Sequence, residues 1–255
     1  MNAEPSSDSP PASGGAFPST QWSMIVRAGA ASSSQARSAL EHLCRQYWFP
    51  LYAFVRRQGR SHHEAEDCTQ EFLARLLADE SVGRARQEQG RFRTFLLTAL
   101  RNFLTNEWHR AQAAKRGGGV AVLPLEFQDA EKNFSREPAD PALTPEQAFD
   151  RTWALGMIEQ AVDGLRVEYE KSGRGALFAA LVPLVWGEGA TEAHAAAAAR
   201  LGMMPHAFTV ALQRLRQRVG QRLRANVAET VATDTEVDGE LRHLIAAVTT
   251  GPSGR

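Results

Sequence analysis

The sequence has few cysteines and no long run of apolar residues. Its 255 residues include two cysteines, Cys44 and Cys68, which lie far apart and lack the spacing of a metal-binding or disulfide framework. We expect both to be ordinary buried or half-buried thiols. No stretch approaches the roughly 18 apolar residues of a membrane span, and the first residues lack the basic and apolar regions of a signal peptide. We therefore expect a cytoplasmic protein without membrane insertion.

The sequence also lacks a strand pattern of useful length and any net charge, with 29 basic and 29 acidic residues. Apolar residues instead recur at spacings of three and four, which is typical of amphipathic helices. The charges fall into blocks: residues 61–80 and 117–150 are acidic, whereas residues 84–116 and 200–224 are basic. This pattern predicts an all-α protein with two basic surfaces separated by an acidic connector.

Composition and periodicity divide the chain into five segments. Residues 1–19, rich in Ser, Pro, Gly and Ala, are expected to be a disordered tail. The other predicted segments are a helical domain at 20–116, a flexible linker at 117–143, a second helical domain at 144–228 and a C-terminal extension at 229–255. The extension carries an apolar stripe that is expected to pack on its own domain, with a regulatory contact left open. The stripe consists of Val237, Leu241, Leu244, Ile245 and Val248.

Capping signals place several helix boundaries. An amphipathic pattern from Leu40 to Val55 predicts a first helix, with Pro50 as a kink or break. Ser61 and Glu64 form the pattern of a capping box, which predicts a second helix from about residue 61 to 77. A third helix is predicted from Phe92 to about Ala114. Helices resume after the linker at Thr144, where Thr-Pro-Glu-Gln again has the form of a capped start.

The stretch from His194 to Arg224, HAAAAARLGMMPHAFTVALQRLRQRVGQRLR, has the form of a helix-turn-helix. Alanines allow two helices to cross closely, and Gly202 lies in the turn. Arg214, Arg218 and Arg222, four residues apart, are predicted to form an outer stripe on the second helix. Two interpretations of this stripe remain open: a solvated surface, or contact with DNA phosphates and base edges.

Two segments of the first domain carry a family resemblance. AEDCTQEFLARLL (65–77) and GRFRTFLLTALRNFLTNEWHRAQAAKR (90–116) resemble region 2 of sigma-70 family RNA polymerase sigma factors of the small extracytoplasmic-function (ECF) type. The helix-turn-helix at 192–224 resembles region 4 of the same family. The resemblance implies a protein that binds core RNA polymerase through the beta-prime clamp and the beta flap, recognises minus-ten and minus-thirty-five promoter elements, needs no cofactor and catalyses no reaction.

The resemblance also implies roles for particular residues. The segment that docks on the beta-prime clamp corresponds to Asp67, Gln70, Glu71 and Phe72, with Phe72 expected to be exposed. The surface that holds the melted minus-ten strand and the upstream duplex corresponds to Arg91, Arg93, Asn102, Asn106, Trp108, His109 and Arg110. The loop at 80–90 corresponds to the loop that captures a flipped base. Trp108 is the stacking candidate, whereas Phe92, Phe95 and Phe103 are expected in the core.

The region 4-like helix departs from the family pattern, because many members carry Lys or Arg early in the recognition helix. Minus-thirty-five contacts would here come from His206, Thr209, Gln213, Arg214, Arg216 and Arg218. The chain between residues 153 and 189 is also longer than a minimal region 4.

Other functions are weighed against this interpretation. The main alternative is a helix-turn-helix transcriptional regulator that acts without docking on core polymerase. An enzyme is disfavoured because the acids of residues 64–71 have no accompanying His, Ser or Cys arrangement. No metal site is expected, since His62 and His63 are adjacent and are predicted not to point both rings at one ion. An anti-sigma factor or another regulator remains a candidate partner.

Overall fold

The computed structural model describes residues 34–78, 91–113, 130–136, 143–187 and 191–249. The α-helices along these residues are α1 (Ser34–Arg57), α2 (His62–Ala78), α3 (Phe92–Ala113), α4 (Ala130–Arg136), α5 (Pro145–Lys171), α6 (Gly175–Leu181), α7 (Thr191–Arg200), α8 (Pro205–Ala228) and α9 (Asp234–Thr249). Within the described residues no strand forms, and an isolated bridge pairs Arg91 with Val231. The predicted all-α fold is confirmed. None of these helices is long and apolar enough to cross a membrane.

Both predicted capping boxes are present. The Ser61 amide donates to Glu64 Oε2 at 2.8 Å, and the Glu64 amide donates to Ser61 Oγ at 3.4 Å. At the start of α5 the Gln147 amide donates to Thr144 Oγ1 at 3.2 Å, and the Thr144 amide donates to Gln147 Oε1 at 2.9 Å. These bonds satisfy amide groups that the first turn of a helix leaves without partners.

The turn between α7 and α8 depends on Gly202. Its φ of 65° lies in the left-handed region, which glycine adopts at low cost. The Met203 amide donates to the Ala198 carbonyl at 2.9 Å, which is the outer hydrogen bond of a Schellman motif. The predicted helix, tight turn and second helix are therefore all observed.

Two local predictions differ from the structure. Helix α1 continues through Pro50, so the predicted break does not occur, and the alternative of a kink stays a prediction. The predicted linker contains α4, whose Ala130 is buried and whose Phe134 packs against the same core. Its prolines excluded a long helix but not a short one, because α4 fits between Pro124 and Pro138. The predicted tail at 1–19 lies outside the described residues.

Two hydrophobic cores hold the helices together. The first contains buried side chains of α1, α2, α3, the N-terminal half of α5 and α9. Tyr47 lies near its centre, with its ring 5.1 Å from that of Phe92 and 6.3 Å from that of Trp153. Phe92 and Phe103 are buried in this core, and Phe95 packs against it, as predicted. Cys44 is buried and Cys68 half-buried, both as free thiols.

The second core contains the C-terminal half of α5 with α6, α7 and the first half of α8. Helix α5 therefore passes from one core to the other, and α8 does the same, because its Leu223 and Val227 reach the first core. The predicted boundary at residue 144 remains a prediction. The packing nevertheless crosses it, since Phe149 contacts Phe54 with ring centroids 6.4 Å apart.

Helix α9 packs on α5 and α8. Val237 and Leu244 of its predicted apolar stripe are buried, and Leu241 and Val248 pack against the first core. Ile245 is 56% exposed, which the stripe did not predict. The C-terminal helix thus shares a core with the helices of the first predicted domain rather than packing on the second domain alone.

Candidate nucleic-acid interface

The predicted polymerase-docking residues lie along α2. Asp67 is exposed, and Gln70 and Glu71 are half-buried. Glu71 forms an ion pair with Arg75 one turn later. Phe72 is only 4% exposed. The expectation of an exposed aromatic at this position is therefore wrong.

Phe72 is buried because it packs against the next helix. Its ring lies 5.6 Å from that of Phe103 on α3, and both belong to the first core. Four apolar residues lie close together in this part of α2: Phe72, Leu73, Leu76 and Leu77. Their spacing alone does not show which of them faces the core and which faces solvent. The predicted docking surface on α2 is consequently polar and acidic.

The two arginines at the start of α3 are held by acids from other helices. Arg93 is buried and donates through Nε to Glu240 Oε1 at 2.5 Å and through Nη1 to Asp150 Oδ1 at 2.9 Å. Its guanidinium also lies 5.6 Å from the Trp153 ring centroid. Arg91, about one-third exposed, reaches the same Glu240 at 3.0 Å. In this conformation Arg93 faces the core, which contradicts its predicted contact with DNA.

The rest of α3 presents a polar face. Asn102 and Asn106 are exposed and lie one helical turn apart, so they share that face. Arg101 beside them is exposed and pairs with Glu146 of α5. Trp108, His109 and Arg110 belong to α3, but their side chains lie outside the described part of the structure, as does the predicted base-capturing loop at 80–90.

A groove between the end of α1 and α3 runs beside this polar face. It has a volume of 420 Å³ and is lined by Val55, Gln58, Arg60, Arg101, Leu104 and Thr105. Sequence reasoning did not select Arg60, because it lies in the turn between two predicted helices. The signal that could have found it is its position after Gly59, whose φ of 86° turns the chain there.

The exposed face of α8 keeps part of the predicted DNA-binding set. His206, Gln213 and Arg214 are exposed. Arg214 has no ion pair or hydrogen bond with any residue that the structure describes. Thr209 is half-buried and its hydroxyl donates to the Pro205 carbonyl at 3.1 Å. These four side chains begin on the first turn of the helix and continue along one side of it.

Arg216 has a structural role. Its guanidinium donates to the backbone carbonyls of Leu184 at 2.9 Å, of Val185 at 3.0 Å and of Gly187. These carbonyls belong to the segment between α6 and α7. Carbonyl groups near a helix end lack partners within the helix, so a guanidinium that binds three of them fixes the segment onto α8.

Arg218 also contacts protein groups. Arg218 and Arg222 both bind the carboxylate of Glu168 on α5, with Arg222 Nη2 at 2.6 Å from Oε1, and Arg218 lies 5.4 Å from the Tyr169 ring centroid. The acid that balances this arginine stripe thus comes from another helix. Both interpretations of the stripe stay predictions, and in this structure Arg216 and Arg218 are held by other parts of the protein.

One family comparison matches part of this region. Residues 43–114 match the family model described as Sigma-70 region 2. The match runs from within α1 through α2 and α3, and so includes the acidic face, the groove and the exposed asparagines. It supports a role in transcription initiation that involves core RNA polymerase and promoter DNA. No curated protein and no solved structure matches this chain.

A polar cluster that sequence reasoning missed joins residues of the region 2 match to Glu131, which lies beyond the match. Tyr52 donates its hydroxyl proton to Glu131 Oε2 at 2.6 Å, and Arg56 donates to Glu131 Oε1 at 2.8 Å. The Arg56 hydrogen bonds, followed by that of Tyr52, lower the pKa of Glu131 below its usual range. The His62 Nδ1 atom lies 2.7 Å from the same Tyr52 hydroxyl. Glu131 lies in the predicted linker, where no periodicity marked it.

The adjacent histidines at the start of α2 do not diverge as expected. The ring centroids of His62 and His63 are 5.2 Å apart. One possible ligand atom from each of His62, His63 and Glu66 lies within 4.8 Å of the other two. The geometric argument against a shared ion is therefore wrong for this pair.

Proposed function

We propose that this chain is a sigma factor of the ECF type. It binds core RNA polymerase, recognises minus-ten and minus-thirty-five promoter elements, and promotes strand opening at the start of transcription. The region 2 match over residues 43–114 carries this proposal. Sigma factors direct a polymerase and catalyse no reaction themselves, so we assign no catalytic residue. The proposed place of action is the cytoplasm, where promoter DNA is found.

Core polymerase is proposed to dock on the acidic face of α2. Asp67, Gln70 and Glu71 lie on that face, and Asp67 is its most exposed acid. An acidic face attracts a basic partner surface and speeds its encounter. Phe72 supports the face from below by packing on α3. The partner surface is proposed to be the beta-prime clamp, and the beta flap is proposed to bind the region containing α7 and α8.

The minus-ten element is proposed to contact α3 and the groove beside it. Asn102 and Asn106 offer amide groups that hydrogen-bond to base edges, and Arg60 and Arg101 add positive charge at the groove. Single-stranded DNA binds where positive charge lies next to hydrogen-bonding and stacking groups. Trp108, His109 and Arg110 continue this set as predicted contacts, and Arg91 remains a candidate at its edge.

The minus-thirty-five element is proposed to contact the N-terminal half of α8. His206, Thr209 and Gln213 provide hydrogen-bonding groups, and Arg214, which has no partner among the described residues, provides a cation for a phosphate or a guanine. Arg216 and Arg218 are assigned to holding α8 in place. A regulator that uses only α7 and α8 would bind duplex DNA in the same way, so the polymerase interaction is what separates the two functions.

Affinity for core polymerase tests the proposal. The replacement Asp67→Arg reverses the exposed charge on α2, whereas Glu159→Arg reverses an exposed acid on α5, outside the region 2 match. We expect Asp67→Arg to weaken binding of the full chain by at least about tenfold, because rim charges of the wrong sign repel the partner. Glu159→Arg should bind like the wild type.

Circular dichroism of both variants checks that their helix content is unchanged. A wild-type chain that does not bind core polymerase, or equal affinities for the two charge-reversed variants, would refute the docking assignment.

A further inference from the structure

Three potential ligand atoms meet on the first two turns of α2. His62 Nε2 lies 3.9 Å from Glu66 Oε2, and these side chains are 33% and 29% exposed. The exposed His63 ring brings a third potential ligand atom into the same cluster, within 4.8 Å of the other two. Because i and i+4 side chains share a helix face, the backbone itself places His62 and Glu66 side by side.

Hydrogen bonds fix the proton of His62. Tyr52 has a single hydroxyl proton, and this proton goes to the Glu131 carboxylate at 2.6 Å. Two bonds from Arg56 keep that carboxylate ionised and unable to donate. The Tyr52 oxygen can then only accept from His62 Nδ1 at 2.7 Å. A neutral His62 therefore carries its proton on Nδ1 and a lone pair on Nε2.

This lone pair faces a carboxylate oxygen. When His62 is neutral, these two acceptors, 3.9 Å apart, cannot bond to each other, but a cation between them would satisfy both. Histidine ligands of metals are commonly held in this way, with the remote ring nitrogen donating to a supporting group. We propose that His62, His63 and Glu66 form a divalent transition-metal site of the zinc type, with Tyr52 as the residue that positions His62.

The ligand set favours zinc over magnesium or calcium. Two imidazoles and one carboxylate suit Zn²⁺, which binds them at about 2.0–2.2 Å, whereas hard cations prefer oxygen ligands alone. Tetrahedral ligands around such an ion are about 3.3 Å apart, so the 3.9 Å separation of His62 and Glu66 needs only a small side-chain adjustment. A water molecule would complete the coordination. This inference does not depend on the proposed function.

Zinc titration of the untagged full chain by calorimetry tests the site. We expect one Zn²⁺ per chain, and a loss of affinity of at least about tenfold in His63→Ala and in Glu66→Gln, which remove partly or fully exposed ligands without disturbing the core. Tyr52→Phe should weaken binding by about 10- to 100-fold, the usual effect of removing a supporting group. The control is His206→Ala, an exposed histidine on α8, which should bind zinc like the wild type.

Two further measurements keep the result interpretable. Zinc should raise the melting temperature of the wild type and of His206→Ala more than that of Glu66→Gln, because a ligand of the folded state stabilises it. In the metal-free protein, the nitrogen chemical shifts of His62 should show the tautomer protonated on Nδ1. Equal zinc affinity in all variants, no binding by the wild type, or a proton on Nε2 would overturn the proposal.

Discussion

Replacing Glu240 with alanine is expected to destabilise the fold strongly. The Glu240 side chain is fully buried and binds Arg93, whose side chain is 10% exposed, and Arg91. Removing one partner of a buried ion pair typically costs about 3–5 kcal/mol, because the other charge stays buried without compensation. Arg93 keeps its contact with Asp150 at 2.9 Å, so the lower end of this range, about 3 kcal/mol, applies.

This cost can be measured as a change in melting temperature. For a chain of this size, 1 kcal/mol corresponds to about 2–4 °C, so Glu240→Ala should melt about 6–12 °C below the wild type. Far-ultraviolet circular dichroism follows the helices directly. The melting temperature of Glu240→Gln should lie between those of the wild type and of Glu240→Ala, because the glutamine amide keeps a hydrogen-bond acceptor of the same shape but has no charge.

Asp238 on the same helix is the matched control. It pairs with Arg224, but both side chains are more than half exposed, at 68% and 52%. Water and salt screen such pairs, so Asp238→Ala should have the same melting temperature as the wild type. If Glu240→Ala melts at the same temperature as Asp238→Ala, the ion pairs at the start of α3 do not hold α9 in place and the reasoning fails.

Two further predictions use pairs of variants in the region around α8. Gly202→Ala should destabilise the chain by about 1–2 kcal/mol because φ is positive there. Gly220→Ala, at an exposed and open helical position, should stabilise the chain by roughly 0.5–1 kcal/mol. Equal urea midpoints of the two variants would contradict the turn geometry. Arg214→Ala should lower the slope of log K against log salt for duplex binding by about one unit. Arg218→Ala should leave this slope unchanged, because Arg218 is already paired with Glu168. The reverse pattern would refute the division of roles between the two arginines.

Local signals in the sequence predicted helix starts and one turn correctly. Ser61 with Glu64, and Thr144 with Gln147, cap their helices through bonds that span three residues. Gly202 marks the turn because few other residues adopt its backbone conformation. These features depend on neighbours in the chain, so a sequence pattern contains most of their physical cause.

Contacts between distant residues account for the wrong predictions. The family resemblance implies a DNA contact for Arg93, but its partner Glu240, 147 residues away in the sequence, buries it. The stripe on α8 appears unbalanced in the sequence because its acid, Glu168, lies on α5. Neither pairing leaves a periodic signal. Phe72 is likewise buried, rather than exposed, because α3 packs over it. An unusual charge pattern therefore indicates where to look, and the packing decides which charges remain free.

The most direct test of the sigma-factor proposal is strand opening. Promoter fragments are first selected from a genomic library by their binding to the complex of core polymerase and the chain. The same complex is then formed on these fragments, and permanganate detects unpaired thymines. We expect reactive thymines with the wild type and with Thr94→Ala, an exposed position on α3, and none with the double replacement Asn102→Ala and Asn106→Ala. Thymines that stay unreactive with the wild type, together with dimeric binding of the chain alone to a palindromic duplex, would contradict the proposal.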